Sequence, residues 1–308
     1  SIIMNRFISL FTVVTVLFIA IFLQAGSNAS YAQGSYWTDI NVRSDEGSPT
    51  IQPSVYRTVG IDIETIRQVL DSAPLEKDAS ARNSSAIIEL PMPDGTMELF
   101  SFVNSPVMAP ELASKYPEIQ VYLGQGIDNP SSVVRFDLTP QGFHAMILRS
   151  ESTVYIDPFT AGDLTKCISY TKNSFYESTD KQLEGCVVKE GHLGEVTPKS
   201  FNAVQTPESV KSKPEVLQMG IQKSMMVSNG STLRTYRLAL ACTGEYAQYH
   251  GGTVAGVLAA MNTSMARVNG VFERDVCIRM VIVANNENVI FLNSGSDPYS
   301  NGNGSAML

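Results

Sequence analysis

The chain has 308 residues and carries 22 basic against 30 acidic side chains, a net charge of −8. It holds no Lys/Arg-rich run that could grip phosphates, which argues against a polyanion partner such as nucleic acid. Its four cysteines, Cys167, Cys186, Cys242 and Cys277, are too few for a disulfide-built scaffold and allow three pairings, among which the sequence does not choose. The length is enough for two domains and a sizeable core.

The N-terminus reads as a targeting segment. Met4-Asn-Arg6 supplies a positive start, Phe7 to Leu23 is apolar apart from Ser9, Thr12 and Thr15, and Ser30-Tyr-Ala32 places small residues where a signal peptidase reads. Residues 1–32 are therefore expected to be a signal peptide, with 1–3 upstream of the initiator Met4. An uncleaved anchor is the alternative, because the apolar run approaches spanning length. From Gln33 to about Thr50 the chain is polar and expected to be loose.

Ile61 to Asp71 predicts a short helix, since Ile63, Ile66, Val69 and Leu70 share a face and Pro74 ends it. Strands follow. Ala86–Leu90 and Met97–Val103 flank Asp94-Gly95, which suits a tight hairpin. Val133–Leu138 and Phe143–Leu148 flank Thr139-Pro-Gln-Gly142, a second hairpin turn. Ser152–Asp157 adds another strand. The expectation over 33–187 is an antiparallel β-rich domain with a short helix or two. From Val188 to about 230 aromatics nearly vanish and Ser, Pro, Lys, Glu and Gln dominate, the composition of a linker open to proteolysis.

The last part, 231–308, changes pattern. Leu233 to Cys242 alternates, with Tyr236, Leu238, Leu240 and Cys242 on one face, as a half-buried strand does. After Gly251-Gly252, apolar residues recur at Val254, Val257, Leu258, Met261, Met265, Val268 and Phe272, which predicts a long amphipathic helix. Cys277 to Ala284 is nearly unbroken apolar, the mark of a strand covered on both faces. The 34 residues between the two strands are ample for a crossover helix, so this reads as the opening strand–helix–strand of a three-layer α/β domain. The fold class expected for the whole is α+β: an antiparallel β-rich part, then the start of an α/β part.

The runs Leu233-Arg-Thr-Tyr-Arg-Leu-Ala-Leu-Ala-Cys-Thr-Gly-Glu-Tyr246, Gly251-Gly-Thr-Val-Ala-Gly256 and Ala260-Met-Asn-Thr-Ser-Met-Ala-Arg-Val-Asn-Gly270 resemble the start of the catalytic domain of secreted bacterial reprolysin-like (adamalysin-type, metzincin) zinc metallopeptidases. Leu90-Pro-Met-Pro-Asp-Gly-Thr-Met97 and Ser105-Pro-Val-Met-Ala-Pro-Glu-Leu112 resemble the prodomain of the same precursors. The resemblance implies a secreted zymogen that hydrolyses peptide or protein substrates with zinc-activated water. With the acidic balance, no nucleic-acid partner is expected, and no stable membrane association once the signal is cleaved.

The chemistry itself is not spelled out in these residues. Enzymes of this type use His-Glu-x-x-His with a third ligand close by. The three histidines here, His144, His192 and His250, lie far apart, and none is beside a Glu or a turn away from another. His144 falls in a strand, where a core or sheet-face role is favoured over a ligand role, and His250 falls in a strand-to-helix loop. No catalytic or metal-binding residue is therefore assigned within the chain, and zinc ligands are expected beyond Leu308. The resemblance makes Cys186 the candidate for a prodomain thiol that blocks the metal, with Cys167 a weaker one; a packed thiol or a Cys167–Cys186 disulfide is the plainer account. Glu245 is a candidate calcium ligand by the same resemblance, with surface solvation the plainer account. Gly124-Gln-Gly126 reads as a turn rather than a phosphate cradle. Asn83, Asn229, Asn262 and Asn303 stand in Asn-x-Ser/Thr contexts of the kind short polar runs produce by chance. The expected protein is thus the N-terminal part of a secreted zinc-endopeptidase precursor, with a secreted non-catalytic adhesin or inhibitor-like module as the alternative.

Overall fold

The computed structural model describes residues 36–42, 47–179 and 232–299. The expected signal peptide at 1–32, the linker at 188–230, Cys186, His192, Asn229 and Asn303 lie outside the described residues. The rest is mixed α and β, dominated by a large antiparallel sheet.

That sheet has nine strands: β1 (Trp37–Asp39), β2 (Tyr56–Ile61), β3 (Ile87–Pro91), β4 (Met97–Asn104), β5 (Gln120–Gly126), β6 (Val133–Thr139), β7 (Gly142–Leu148), β8 (Val154–Pro158) and β9 (Lys166–Thr171). Their spatial order is β1-β2-β9-β8-β7-β6-β5-β4-β3, and every neighbouring pair is antiparallel. Both expected hairpins form. In the β3–β4 turn Gly95 takes φ +93° while Asp94 Oδ1 accepts from the Thr96 amide. In the β6–β7 turn Thr139 and Gly142 are Cα partners, and Gly142 takes φ +123°. The sheet curls until its ends meet. Trp37 Nε1 donates to the Glu89 carbonyl at 2.8 Å, and Arg57 Nη1 donates to the Met92 and Thr96 carbonyls. These bonds cover backbone groups that an open edge would leave unpaired.

Several sequence expectations change here. The stretch from Gln33 to Thr50 is not simply loose, because it contributes β1, with Trp37 buried against Phe143. Gly124-Gln-Gly126 is not a turn but the end of β5. A Cβ at Gly124 would stand 2.6 Å from Val134 Cγ1, and one at Gly126 would stand 2.3 Å from the Asn129 carbonyl oxygen. The glycines thus let a neighbouring strand and the 127–132 turn approach closely. The first helix, α1 (Ile63–Leu70), starts two residues later than expected, because Ile61 closes β2 and Asp62 caps the helix by accepting from the Glu64 and Thr65 amides. Two further short helices, α2 (Pro110–Ala113) and α3 (Lys172–Thr179), flank the sheet.

The second part contains β10 (Arg234–Leu238), α4 (Gly244–Tyr249), α5 (Val254–Val276) and β11 (Ile278–Ile282). β10 and β11 pair in parallel, Arg234 opposite Ile278 and Leu238 opposite Ile282, so α5 is the crossover between them. Thr253 caps α5 by accepting from the Gly256 amide, and Cys277 ends it in the left-handed region at φ +55°. The expected helix is present and runs to Val276, but α4 was not foreseen. Both strands are shorter than expected. Tyr236 is 50 % exposed rather than facing a core, and in β11 only Ile282 is fully buried, so that strand is not covered on both faces.

The two parts pack as one compact unit. A single cluster joins Val257, Leu258, Met261 and Met265 of α5 and Ile282 of β11 to Val107, Met108 and Leu112 from the sheet part.

Candidate functional site

The site with the densest chemistry is the seam between these two parts. It begins with β6, which alternates: Val134, Phe136 and Leu138 occupy one face and Arg135 and Asp137 the other, all of them buried. Cross-strand register carries that second face onward, since Arg135 is opposite Met146, Asp137 opposite His144, and Met146 opposite Tyr155. Helix α5 lies on this face through Thr263, Arg267, Gly270 and Glu273, spaced three or four apart and so aligned along one side. Thr263 Oγ1 donates to Asp137 Oδ1 at 2.9 Å. Arg267 pairs with Asp157 at 2.5 Å, and its guanidinium stands 5.3 Å from the Tyr155 ring centre. Gly270 allows the close approach: a Cβ there would stand 2.8 Å from the Met146 terminal methyl and 3.1 Å from Arg135 Cγ.

At the C-terminal end of α5 four charges close into a ring. Arg135 Nη2 reaches both Glu273 oxygens, and its Nη1 donates to Ser105 Oγ at 2.7 Å. Arg279 Nε donates to Glu273 Oε1 at 2.6 Å, while its two terminal nitrogens take both oxygens of Glu76 at 2.8 Å. Ser105 Oγ in turn donates to Glu76. Arg135 and Glu76 come from the sheet part, Glu273 and Arg279 from the helical part. The ring is neutral, and the Arg135 side chain is only 1 % exposed. Burial pushes the Glu76 carboxyl up, but the hydrogen bonds from Arg279 and Ser105 and the two guanidinium charges outweigh it and hold the group below its ordinary range. Burial draws the Arg279 guanidinium down, and its two carboxylate partners more than restore it.

A second contact crosses the seam along the outer edge of β11. Ile282 donates its amide to the Val107 carbonyl at 2.8 Å, and the Ala109 amide donates to the Ile282 carbonyl at 2.8 Å, so residues 107–109 begin a third strand. One pleat earlier, the buried Asn269 side chain from α5 stands in for a strand partner, accepting from the Met280 amide at 2.9 Å and donating to its carbonyl at 2.8 Å. Asn286 does the same for Leu240 with bonds of 2.7 and 3.0 Å.

The residues singled out from sequence are dispersed. His144 lies in β7 with Nδ1 3.0 Å from Asp137 Oδ1. His250 is not in a strand-to-helix loop but at the C-terminal cap of α4, between the Tyr246 and Tyr249 rings, and burial lowers its pKa. The two imidazoles line a cleft of about 590 Å³ together with Gln141, Asp157, Tyr246 and Arg267. Cys167 is a free, fully buried thiol in β9, pushed up by burial and so poorly suited to act as a thiolate. Cys242 is also buried, bridged to Ile290. Glu245 sits exposed in the first turn of α4. Asn262, far from being a surface acceptor, is fully buried and donates to the Leu258 carbonyl. Among the described residues no group of three or more His, Cys, Asp or Glu side chains could hold a metal ion. These residues therefore do not fit a catalytic zinc, and no catalytic step is assigned to them.

Glu76, Arg135, Glu273 and Arg279 were missed from sequence. A signal was present, since Arg279 interrupts the apolar run Cys277–Ala284 and Arg135, with Asp137, interrupts Val133–Leu138, where a charge persists only if paired.

No curated protein matches the chain. Residues 232–307, the part that contains β10, α5 and β11, are similar to a known family: they match the model described as metallo-peptidase family M12B, reprolysin-like.

Proposed function

We propose that the chain is the N-terminal part of a reprolysin-like zinc endopeptidase precursor. Residues 231–308 open the peptidase module, and residues 33–187 form a covering prodomain. The single observation that carries this reading is the match of residues 232–307 to the M12B reprolysin-like model, with the β-sheet part lying outside it and packed over α5. Where α5 lies under β6 the seam agrees, because Thr263, Arg267 and Glu273 there are polar or charged and can meet water once uncovered, although the contact with Val107, Met108 and Leu112 is apolar.

Peptide-bond hydrolysis by zinc-activated water is the activity proposed for the whole protein. Its ligands and general base would come from outside these 308 residues, which contain no His-Glu-x-x-His. Residues 1–32 as a signal peptide would send the protein out of the cell. Cys186 is kept as the proposed metal-blocking thiol of the covering part, and calcium as a second ion. The test is to express the complete reading frame and this 308-residue chain side by side, then measure zinc content after dialysis and hydrolysis of a peptide library. The reading expects both properties in the longer protein only. Stoichiometric zinc retained by the 308-residue chain, or a complete frame with neither property, would sink it.

A further inference from the structure

We infer that residues 36–179 hold residues 232–299 as a complete non-covalent partner, so that cutting the segment between them does not by itself part them. The inference rests on the seam alone and does not require the peptidase reading.

Among the contacts between described residues that cross that seam, three kinds carry the inference. The first is the ring of Arg135, Glu273, Arg279 and Glu76, which closes only when both parts are present. Parting them takes Glu273 from Arg135, leaving it Ser105, which Glu76 shares, and takes Glu76 from Arg279. The second is the backbone clasp of Val107 and Ala109 on Ile282, whose amide and carbonyl lose their partners on separation. The third is the apolar seam of Val107, Met108 and Leu112 against α5 and Ile282. Each side of the seam is prepared in its own part: strand register aligns Arg135 with Asp137 and His144, and the helical repeat aligns Thr263, Arg267, Gly270 and Glu273. Preorganised surfaces of this kind lose little freedom on meeting. Limited cutting and release would then be two separate events, the second governed by the ring.

The experiment uses the full chain with the recognition sequence of a specific protease inserted between Pro207 and Glu208. After complete cutting at neutral pH and about 0.15 M salt, the sample is passed over a size-exclusion column with light scattering. One species with the mass of a one-to-one complex is expected. Two separate fragments, or an aggregate, would overturn the inference. Affinity measured by dilution then tests the ring. Glu273→Ala should raise the dissociation constant by at least about tenfold, as removing one partner of a buried charge pair does, whereas Lys115→Ala, which removes the exposed partner of Glu287, should change it less than about twofold. If Glu273→Ala does not fold before cutting, Arg279→Gln reads the same ring from the strand side. A ring variant that binds as tightly as the parent shows that the ring does not hold the complex, and overturns that assignment.

Discussion

Arg135 shows why single residues matter at this seam. An arginine inside β6, between Val134 and Phe136, is tolerable only because Glu273 and Ser105 meet its guanidinium. Replacing it with Met leaves Glu273 enclosed with Arg279 as its remaining partner, and removing one member of a buried pair costs about 3–5 kcal/mol. Arg135→Met should therefore lower the urea midpoint of the full chain well outside error; an unchanged midpoint would show that the packing gained compensates for the pair lost. Glu76 makes a pH-dependent prediction. Its folded-state pKa lies below the ordinary glutamate value of 4.5, so the unfolded chain binds more protons in that window. The stability supplied by its pairing is complete above pH 4.5 and is lost as pH falls through the folded value. Glu76→Gln should be less stable at neutral pH and show a shallower loss of stability below pH 4.5. Equal acid slopes in parent and variant would contradict this.

Among the elements, β11 is the one whose neighbours decide its fate. An edge strand exposes a row of unpaired amides and carbonyls, and β11 has two of its outward positions filled by different means. Asn269 fills one from the crossover helix of its own part, and residues 107–109 fill the other from the sheet part. Asn269→Leu keeps the volume roughly similar but leaves the Met280 amide and carbonyl without partners, at a cost of about 1–3 kcal/mol for an unsatisfied buried group. Hydrogen exchange should then show faster loss of protection at Met280 than at Ile282, whose clasp is untouched. Equal acceleration at both would mean that β11 opens as one piece and the edge is not capped position by position.

For the molecule as a whole, the first strand decides how the sheet closes. A start at Tyr56 removes β1, and with it the Trp37 ring that packs edge-on against Phe143 and bonds the Glu89 carbonyl across the meeting ends of the sheet. Fully burying a large apolar side chain is worth roughly 1.5–3 kcal/mol, and the edge of β2 would be uncovered as well. A chain beginning at Tyr56 should melt several degrees below one beginning at Tyr36, with weaker exchange protection along β2. Identical melting temperatures would show that β1 is an ornament. The helical part behaves in the opposite sense: one side of α5 packs on its own strands and another side on the sheet part, so its second cover comes from the same chain.

What the sequence determined by itself is local. Asp94-Gly95 and the Pro140 to Gly142 turn specify two hairpins because positive φ and a fixed proline ring leave few other conformations. Thr253, the 3.6-residue stripe from Val254 to Met265 and the break at Gly251-Gly252 specify α5 because capping and periodicity act within a few residues. The α+β class and the strand–helix–strand order follow from those signals. The tertiary structure alone decided the rest. Nothing near Arg135 in sequence announces Glu273, 138 residues away, and nothing near Glu76 announces Arg279, 203 residues away. Strands such as β1, β5 and β9 carry too weak an alternation to be read alone, and form because a neighbour supplies their hydrogen bonds. The seam is therefore invisible until the chain folds: each charge shows that it needs a partner, and only the meeting of β6, α5 and β11 says which one.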